Sequence, residues 1–330
     1  MTTLHVKLFG TFTIQRNDQI NPHVPSRRVK DLLSYLLLTR GTRHARAHLA
    51  GLFWGDQEEQ KAKHCLNTAL WRLNRLLGSP PPGAIPYLYA DAQYLGFNPT
   101  SDISVDVVEF ETRCQLAASV GGHAPEHEAT LYRDAVQLYT ADLLPDCYDD
   151  WCLIERERLQ QLYLRALTHL MSFHSERGEH DDTARFAKAI LGRDSLREDV
   201  HRDLIAALLA GGRAAAALQQ YQSCEALLRD ELGIAPMPET RALLATILAH
   251  TTAASRKPAA TLPAAATRLG DLHVSSVVAN ALEQVRVSLA ALEQAREDLQ
   301  RARDALEQVS ELSAMSRLQH ANGLTIVVDA

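Results

Sequence analysis

The sequence predicts a mainly α-helical, multidomain protein in which a small α+β domain precedes a longer all-α domain. Residues 2–22 alternate apolar and polar side chains as β-strands do, and the spacing becomes helical from Ser26 onward. Residues 101–250 keep helical spacing almost throughout and contain an internal repeat of 34 residues. With 330 residues, 46% of them hydrophobic, the chain is long enough to bury two or three cores.

Two short β regions are predicted within residues 1–100. The alternating residues 2–22, with turn chemistry at Asn17 and Asp18, indicate a small antiparallel sheet. The segment PYLYADAQYLGFNP indicates two strands joined by a turn at Asp91 and Ala92. The predicted order is therefore a sheet, then helices, then a hairpin.

Three helices are predicted between these β regions. The first begins after an N-cap at Ser26 and ends at Gly41, because serine caps helices and glycine stops them. The second covers residues 46–54, and the third covers about residues 59–77. The apolar face of the first helix consists of Val29, Leu32, Leu33, Leu36 and Leu37, and that of the third of Leu66, Ala69, Leu70, Leu73 and Leu77.

The repeat in residues 101–250 has the period of tetratricopeptide arrays. A shift of 34 residues aligns Gly178 with Gly212 and Ala187 with Tyr221. Units of this kind bury their apolar faces by stacking on their neighbours. We therefore expect a tetratricopeptide-like domain whose concave face offers a place for a peptide, a small effector or a second subunit.

The C-terminal part is predicted to be a linker followed by a helix. Residues 251–268 are rich in Ala, Thr and Pro and lack an apolar period, which is typical of a flexible linker. Residues 269–330 carry apolar side chains at heptad spacing, with Arg296 and Arg303 at core-type positions. The segment is either a coiled coil that joins copies of the chain or a lone amphipathic helix that docks on the helical domain. The final LTIVVDA is either a strand or a tail.

The charge is unevenly distributed. The whole chain has a formal net charge of −6, yet residues 1–100 contain 12 Lys or Arg against 6 Asp or Glu, and residues 101–250 contain 14 against 25. A basic region joined to an acidic one is expected when only the basic region contacts a polyanion.

The sequence predicts an intracellular protein without metal or cofactor. Five scattered cysteines without a CxxC pair are typical of reduced thiols in the cytoplasm. No apolar run is long enough to cross a membrane, and phosphate-loop, GxSxG and kinase motifs of enzymes are absent. The pairs His44 and His48, and His123 and His127, lack a third ligand, and are interpreted as exposed helix-end residues.

The polar face of the third helix predicts a nucleic-acid interface. It combines Arg and Asn, which can bond base edges bidentately, with a hydroxyl and an aromatic ring that suit a thymine methyl. Trp71 has a second interpretation, packing against the hairpin, and the whole stripe could be a solvated basic face. The candidate base-reading residues are His64, Asn67, Thr68, Trp71, Arg72 and Arg75. The candidate phosphate-binding residues are Arg27, Arg28, Lys30, Arg43, Arg46, Lys61 and Lys63.

Seven motifs in order give the chain a family resemblance. They are LFGTFTIQ, PSRRVKDLLSYLLL, LAGLFWGDQ, LNTALWRLNRLLG, PYLYADAQYLGF, LPDCYDDWCLIERERL and YQSCEALLRDELGIAPMPETRALLATIL. Residues 1–250 resemble the antibiotic-regulatory (SARP) class of bacterial transcriptional activators. The resemblance implies a winged helix-turn-helix of the response-regulator type over residues 1–100, followed by a bacterial transcriptional activator domain over residues 101–250.

The resemblance also assigns roles. Residues 46–54 would form the positioning helix, and the third helix would form the recognition helix. The hairpin tip near residues 91–94 would be the wing, but it has no Lys or Arg to enter a minor groove. Members of the class bind direct repeats near promoters and recruit RNA polymerase. The loop that would face the polymerase contains Gly55, Asp56, Gln57, Glu58 and Glu59.

The sequence thus predicts a sequence-specific activator of transcription that binds double-stranded DNA and RNA polymerase as a homodimer or higher oligomer. One alternative is a tetratricopeptide scaffold that binds proteins and does not read DNA. Another is a regulator that binds DNA only after a small effector occupies its helical domain.

Overall fold

A computed structural model describes residues 4–16, 19–20, 25–78 and 83–255 of the chain. Groups of strands and helices follow one another up to residue 105, and the described residues after that form helices. The elements of the N-terminal part, residues 1–105, are β1 Leu4–Lys7, β2 Thr13–Arg16, β3 Gln19–Ile20, α1 Arg27–Leu38, β4 His44–Ala45, α2 Arg46–Trp54, α3 Glu59–Leu77, β5 Leu88–Ala90, β6 Tyr94–Phe97 and β7 Ile103–Val105. Those of the helical part, residues 106–255, are α4 Asp106–Val120, α5 Pro125–Leu138, α6 Asp150–Glu176, α7 His180–Leu191, α8 Glu198–Ala210, α9 Ala214–Leu232 and α10 Pro238–Ser255.

The predicted antiparallel sheet is confirmed and gains one strand. Its order is β3-β2-β1-β7. Val6 lies opposite Ile14 in the antiparallel pair, and Leu4 lies opposite Ile103 in the parallel pair with β7. Leu4 and Val6 are buried while the residues between and after them are exposed, as the alternation predicts. β7 was not predicted, because three residues are too few to show the alternating pattern of a strand.

The predicted hairpin is also confirmed. β5 and β6 are antiparallel, and β4 pairs with β6 on its other side. The Asp91 carboxylate closes the turn by accepting hydrogen bonds from the backbone N–H groups of Gln93 and Tyr94, at 2.8 and 2.7 Å. These two bonds favour the ionised form and lower the pKa of Asp91 below its ordinary value.

The three predicted helices have the expected bounds and apolar faces. Ser26 is the N-cap of α1, but its side chain makes no capping hydrogen bond. Gly41 and Gly78, which follow α1 and α3, have φ angles of +83° and +67°, where glycine avoids the strain of a Cβ atom. Leu70 of α3 is only half-buried, while Ala62, one turn before Leu66, is buried and extends the apolar face.

In the helical part each helix packs against the next one in the chain. The 34-residue shift relates two equivalent turns, one between α6 and α7 and one between α8 and α9. Gly178 and Gly212 both have positive φ, at +70° and +73°. The bond from Glu179 N to His174 O is repeated from Arg213 N to Leu208 O, again 34 residues later. The repeat in the sequence therefore corresponds to two helical hairpins with the same turn.

The N-terminal and helical parts contact each other where β1 and β7 of the first sheet end. The Asp106 carboxylate, at the start of α4, accepts hydrogen bonds from the backbone N–H groups of Leu8 and Phe9, at 2.8 and 3.0 Å. Leu144 N donates to Leu8 O at 3.0 Å, and the Phe9 ring packs on Tyr139. All described residues accordingly lie in a single compact unit, which spans Met1–Arg256.

The predicted linker and C-terminal helix lie largely outside the described residues. α10 continues to Ser255, five residues into the segment 251–268 that was predicted to be a linker. The predicted coiled coil or docked helix of residues 269–330 is not described. Within the described ranges, none of the helices combines the length and apolarity that a membrane span requires.

Candidate nucleic-acid interface

The helix α3 separates a buried face from an exposed one. The buried residues are Ala62, Leu66, Ala69, Leu73 and Leu77. Six of the side chains predicted to contact DNA lie together on its exposed surface, namely Lys61, His64, Asn67, Trp71, Arg72 and Arg75. Thr68 is half-buried, and its hydroxyl donates to His64 O at 3.0 Å. The 100° spacing of successive helical residues explains this division.

Trp71 is exposed, with 62% of its surface accessible. The indole is therefore not buried against the hairpin, and that interpretation of the sequence is wrong. The Trp71 ring lies beside the Arg75 guanidinium, whose Cζ atom is 5.8 Å from the ring centroid. Because an indole ring attracts a cation, the Arg75 side chain is partly ordered before it contacts a ligand.

Arg46, the first residue of α2, links three elements of the surface. Its guanidinium donates to Asn67 Oδ1 at 2.5 Å and to Asp91 O at 3.3 Å. A groove of about 490 Å³ lies beside these contacts, lined by residues of α2, α3 and the hairpin that include Lys63 and Tyr94. Arg46 thereby fixes α3 relative to the hairpin, which the sequence did not predict because the partners are far apart in the chain.

The other candidate phosphate-binding residues near α3 differ in their partners. Lys63 forms an ion pair with Glu59 at 2.6 Å. The Arg43 guanidinium lies 5.1 Å from the centroid of the Tyr89 ring. Lys61, Arg72 and Arg75 form no ion pair with any residue of the described part of the chain. No carboxylate among the described residues offsets the charges of Lys61, Arg72 and Arg75, so these charges are available to an anionic partner.

The cations of α1 lie in different surroundings. Arg28 pairs with Asp149, the N-cap of α6, at 2.9 Å. Arg27 lies 3.9 Å from Asp149 and 3.8 Å from Asp31. Lys30 is half-buried. The structure thus places Arg27 and Arg28 against an acidic group of the helical part, where their charge is compensated.

The loop between α2 and α3 is exposed and acidic. Asp56 and Glu58 point away from the core, and Gln57 donates to Asp56 at 2.9 Å. A Cβ atom on Gly55 would lie 2.5 Å from Gly51 O, so this position requires glycine. Glu59 is the first residue of α3, where a carboxylate favours the helix dipole.

The two histidine pairs fall in different environments. His123 and His127 are exposed, as predicted. His44 belongs to β4 and is half-buried, and its Nε2 lies 2.8 Å from the Thr39 hydroxyl. Burial and the nearby His48 lower the pKa of His44. The interpretation of His44 as an exposed helix-end residue is therefore wrong, because a two-residue strand joins it to the hairpin.

Comparison with known proteins supports the family resemblance. Residues 105–248 match the family of the bacterial transcriptional activator domain. The regulatory protein AfsR of Streptomyces coelicolor is 26% identical over 252 residues, which are 76% of this chain and 25% of that protein. AfsR of Streptomyces griseus is 26% identical over 223 residues, which are 66% and 22% of the two chains. The chain thus spans about a quarter of the length of these relatives.

One solved structure shares the fold. Mycobacterium tuberculosis EmbR, determined in complex with a low-affinity phosphopeptide, matches with a TM-score of 0.62 and 21% identity. The match covers 77% of this chain and 70% of EmbR. The matched domain and the AfsR relatives support the resemblance of this chain to the SARP-type bacterial transcriptional activators.

Proposed function

We propose that the chain is a sequence-specific, double-stranded DNA-binding regulator of transcription that inserts α3 into the major groove. The observation that carries the proposal is the exposed face of α3, where Lys61, Arg72 and Arg75 have no acidic partner among the described residues. Residues 60–77 contain no Asp or Glu. A helix with one buried face and one unpaired basic face fits a groove lined by phosphates and base edges.

The side chains of α3 divide the work of base reading. Arg72 and Arg75 present guanidinium groups that can bond guanine bidentately. Asn67 accepts from Arg46 through Oδ1, so its NH₂ group is the better placed to bond a base, as a donor. Thr68 uses its hydroxyl within the helix, which leaves its methyl group for a thymine. His64 and Trp71 border this surface and contribute edge contacts.

Phosphate contacts set the register of the helix in the groove. Lys61 on α3 and Arg46, which contacts Asn67 of α3, are the principal candidates. Arg43 lies over the Tyr89 ring of the hairpin and is a further candidate, whereas the charge of Lys63 is offset by Glu59. Arg27 and Arg28 are weaker candidates than their position at a helix N-terminus suggests, because Asp149 already offsets their charge. Lys30 is half-buried and contributes less than an exposed lysine would.

Activation involves further partners in this proposal. The exposed acidic loop of residues 55–59 faces RNA polymerase, and the protein occupies direct repeats near promoters. Residues 269–330 join copies of the chain into a homodimer or higher oligomer. The first two roles come from the family resemblance, and the exposure of the loop supports the contact with polymerase. The third comes from the heptad spacing of residues 269–330.

The test is a selection of preferred sequences from random duplex DNA by the purified full-length chain, compared with its Arg75→Ala variant. Arg229→Ala is the matched control, since Arg229 is an exposed arginine of the helical part. We expect the wild type and the control to enrich one motif. The Arg75 variant should lose the preference at one base pair. Enrichment of no motif by the wild type would contradict the proposal.

An effector-gated version of this function has one supporting observation. A groove of about 350 Å³ lies between α5 and α6 and includes the His169 ring, stacked on Tyr132 at 4.8 Å between centroids. Glu128 borders the same groove. A small effector or peptide bound in this groove would regulate DNA binding. A scaffold that does not read DNA would bind its partner in the same groove, and its affinity for duplex DNA would not fall steeply with salt.

A further inference from the structure

Three potential metal ligands meet where α1 contacts the loop before α6. Asp31 belongs to α1, and Cys147 and Asp149 lie in the segment that leads into α6. One ligand atom from each lies within 4.8 Å of the other two. Asp31 precedes Cys147 and Asp149 by more than a hundred positions, so the sequence predicted no metal site here.

Asp31 is the most unusual member of this cluster. Its side chain is fully buried, and neither carboxylate oxygen has a hydrogen-bond donor among the described residues. The nearest cation is Arg27, whose Nε lies 3.8 Å from Oδ2, beyond hydrogen-bond distance. Buried carboxylates normally have donors or a metal ion as partners. Asp31 therefore lacks the partner that its burial requires.

Asp149 and Cys147 both lie beside Asp31, and the Cys147 thiol also forms a hydrogen bond with the Cys152 thiol. Asp149 is the N-cap of α6 but makes no capping hydrogen bond, and its carboxylate faces α1 instead. Cys147 is buried, and its backbone N–H donates to Leu144 O at 2.9 Å. That bond holds the loop so that the sulfur lies beside the two carboxylates.

We propose that Asp31, Cys147 and Asp149 form a binding site for one zinc-class divalent cation, with water as a fourth ligand. Zinc accepts a thiolate and carboxylates in tetrahedral geometry, whereas magnesium and calcium do not favour sulfur. Binding releases the Cys147 thiol proton to solvent. The three anionic ligands and the cation then carry a net charge of −1, which the Arg28 side chain next to Asp149 offsets.

Such an ion would fasten α1 to the start of α6. Arg28 and Asp149 already connect these elements, and Trp151 of α6 packs on Tyr35 of α1. The bound metal would add bonds to both sides of this junction between the N-terminal and helical parts. This inference does not rest on DNA binding and is tested without DNA.

The experiment is a titration of the reduced, metal-free, full-length chain with Co²⁺ and then Zn²⁺. Cobalt bound to Cys147 gives a thiolate-to-metal charge-transfer band, and zinc displaces it at one equivalent per chain. A second cluster of possible ligands within the described residues, His174, Glu179 and Asp182, has no sulfur and gives no such band. Because the chain has four other free thiols, loss of the band in Cys147→Ser is what assigns it to this site.

Two variants and a control complete the test. Asp31→Asn and Cys147→Ser should each weaken metal binding by at least about 100-fold, since even an indirect partner of a ligand contributes 10- to 100-fold. Cys224→Ser, which removes a buried thiol of α9, should bind as the wild type. Asp31→Asn has nearly the same shape as Asp31 and removes a buried charge that accepts no hydrogen bond from the described residues, so circular dichroism should show it folded. Absence of the band in the wild type, or an unchanged affinity in Asp31→Asn, would overturn the proposal.

Discussion

Two basic helices of the N-terminal part differ in what faces them. α1 begins with Arg27 and Arg28 and α3 ends with Arg72 and Arg75, and the sequence makes the two groups look equivalent. In the structure Arg28 is paired with Asp149, while the arginines of α3 face solvent without an acidic neighbour among the described residues. Tertiary partners thus decide which cations are available to a polyanion.

The largest expected effect is on the preference among DNA sequences, which should depend on the arginines of α3 and not on those of α1. Arg75→Ala should weaken binding to the preferred duplex by about 1–3 kcal/mol and relax the preference at one base pair. Arg28→Ala should leave the preference intact, because Arg28 faces Asp149. Competition between preferred and random duplexes measures both variants. An equal loss of preference in the two would show that the reading face lies elsewhere.

A second comparison concerns phosphate contacts. Lys61→Ala should reduce affinity alike for all sequences and lower the slope of log affinity against log salt by roughly 1. Arg28→Ala should change the slope less, because its charge is already offset by a half-buried carboxylate. Fluorescence anisotropy at several salt concentrations gives both slopes. A larger change for Arg28 than for Lys61 would reverse our ranking of the two helices.

A smaller effect is expected at the bond between Arg46 and Asn67. Arg46→Met should release Asn67 Oδ1, so that the amide can both donate and accept and can bond adenine bidentately. We expect one position of the selected motif to shift toward adenine, together with a uniform loss of affinity from the removed charge. An unchanged motif with reduced affinity would indicate that Arg46 contributes to phosphate binding alone. Asn67→Ala, which should remove the preference at the same position, is the companion variant.

The smallest effect is expected at the hairpin tip, where Asp91 places an acidic group beside the contact between Arg46 and Asn67. Asp91→Asn removes a negative charge, while its side-chain oxygen can still accept from Gln93 N and Tyr94 N. Affinity for all duplexes should rise slightly, and the gain should fade at high salt. Salt-independent weakening would instead indicate that the turn itself had changed.

The features predicted from the sequence are those determined by neighbouring residues. Strong apolar periods followed by glycines predicted α1 and α3, and glycines 34 residues apart marked two equivalent turns. The features that were missed need distant partners. β7 pairs with β1 across about 100 residues, and Asp149 meets Arg28 and Asp31 across a similar distance. No local pattern records such pairings, so the sequence could identify charged residues but not their partners.

The most direct test of the central claim places a photoreactive amino acid at His64 of α3 or at Arg27 of α1, both exposed in the full-length chain. Each variant is irradiated with the duplex obtained by selection and with a random duplex. We predict efficient crosslinking from position 64 to the selected duplex and little from position 27. Efficient crosslinking from position 27, with little from position 64, would contradict the assignment of α3 as the DNA-binding surface.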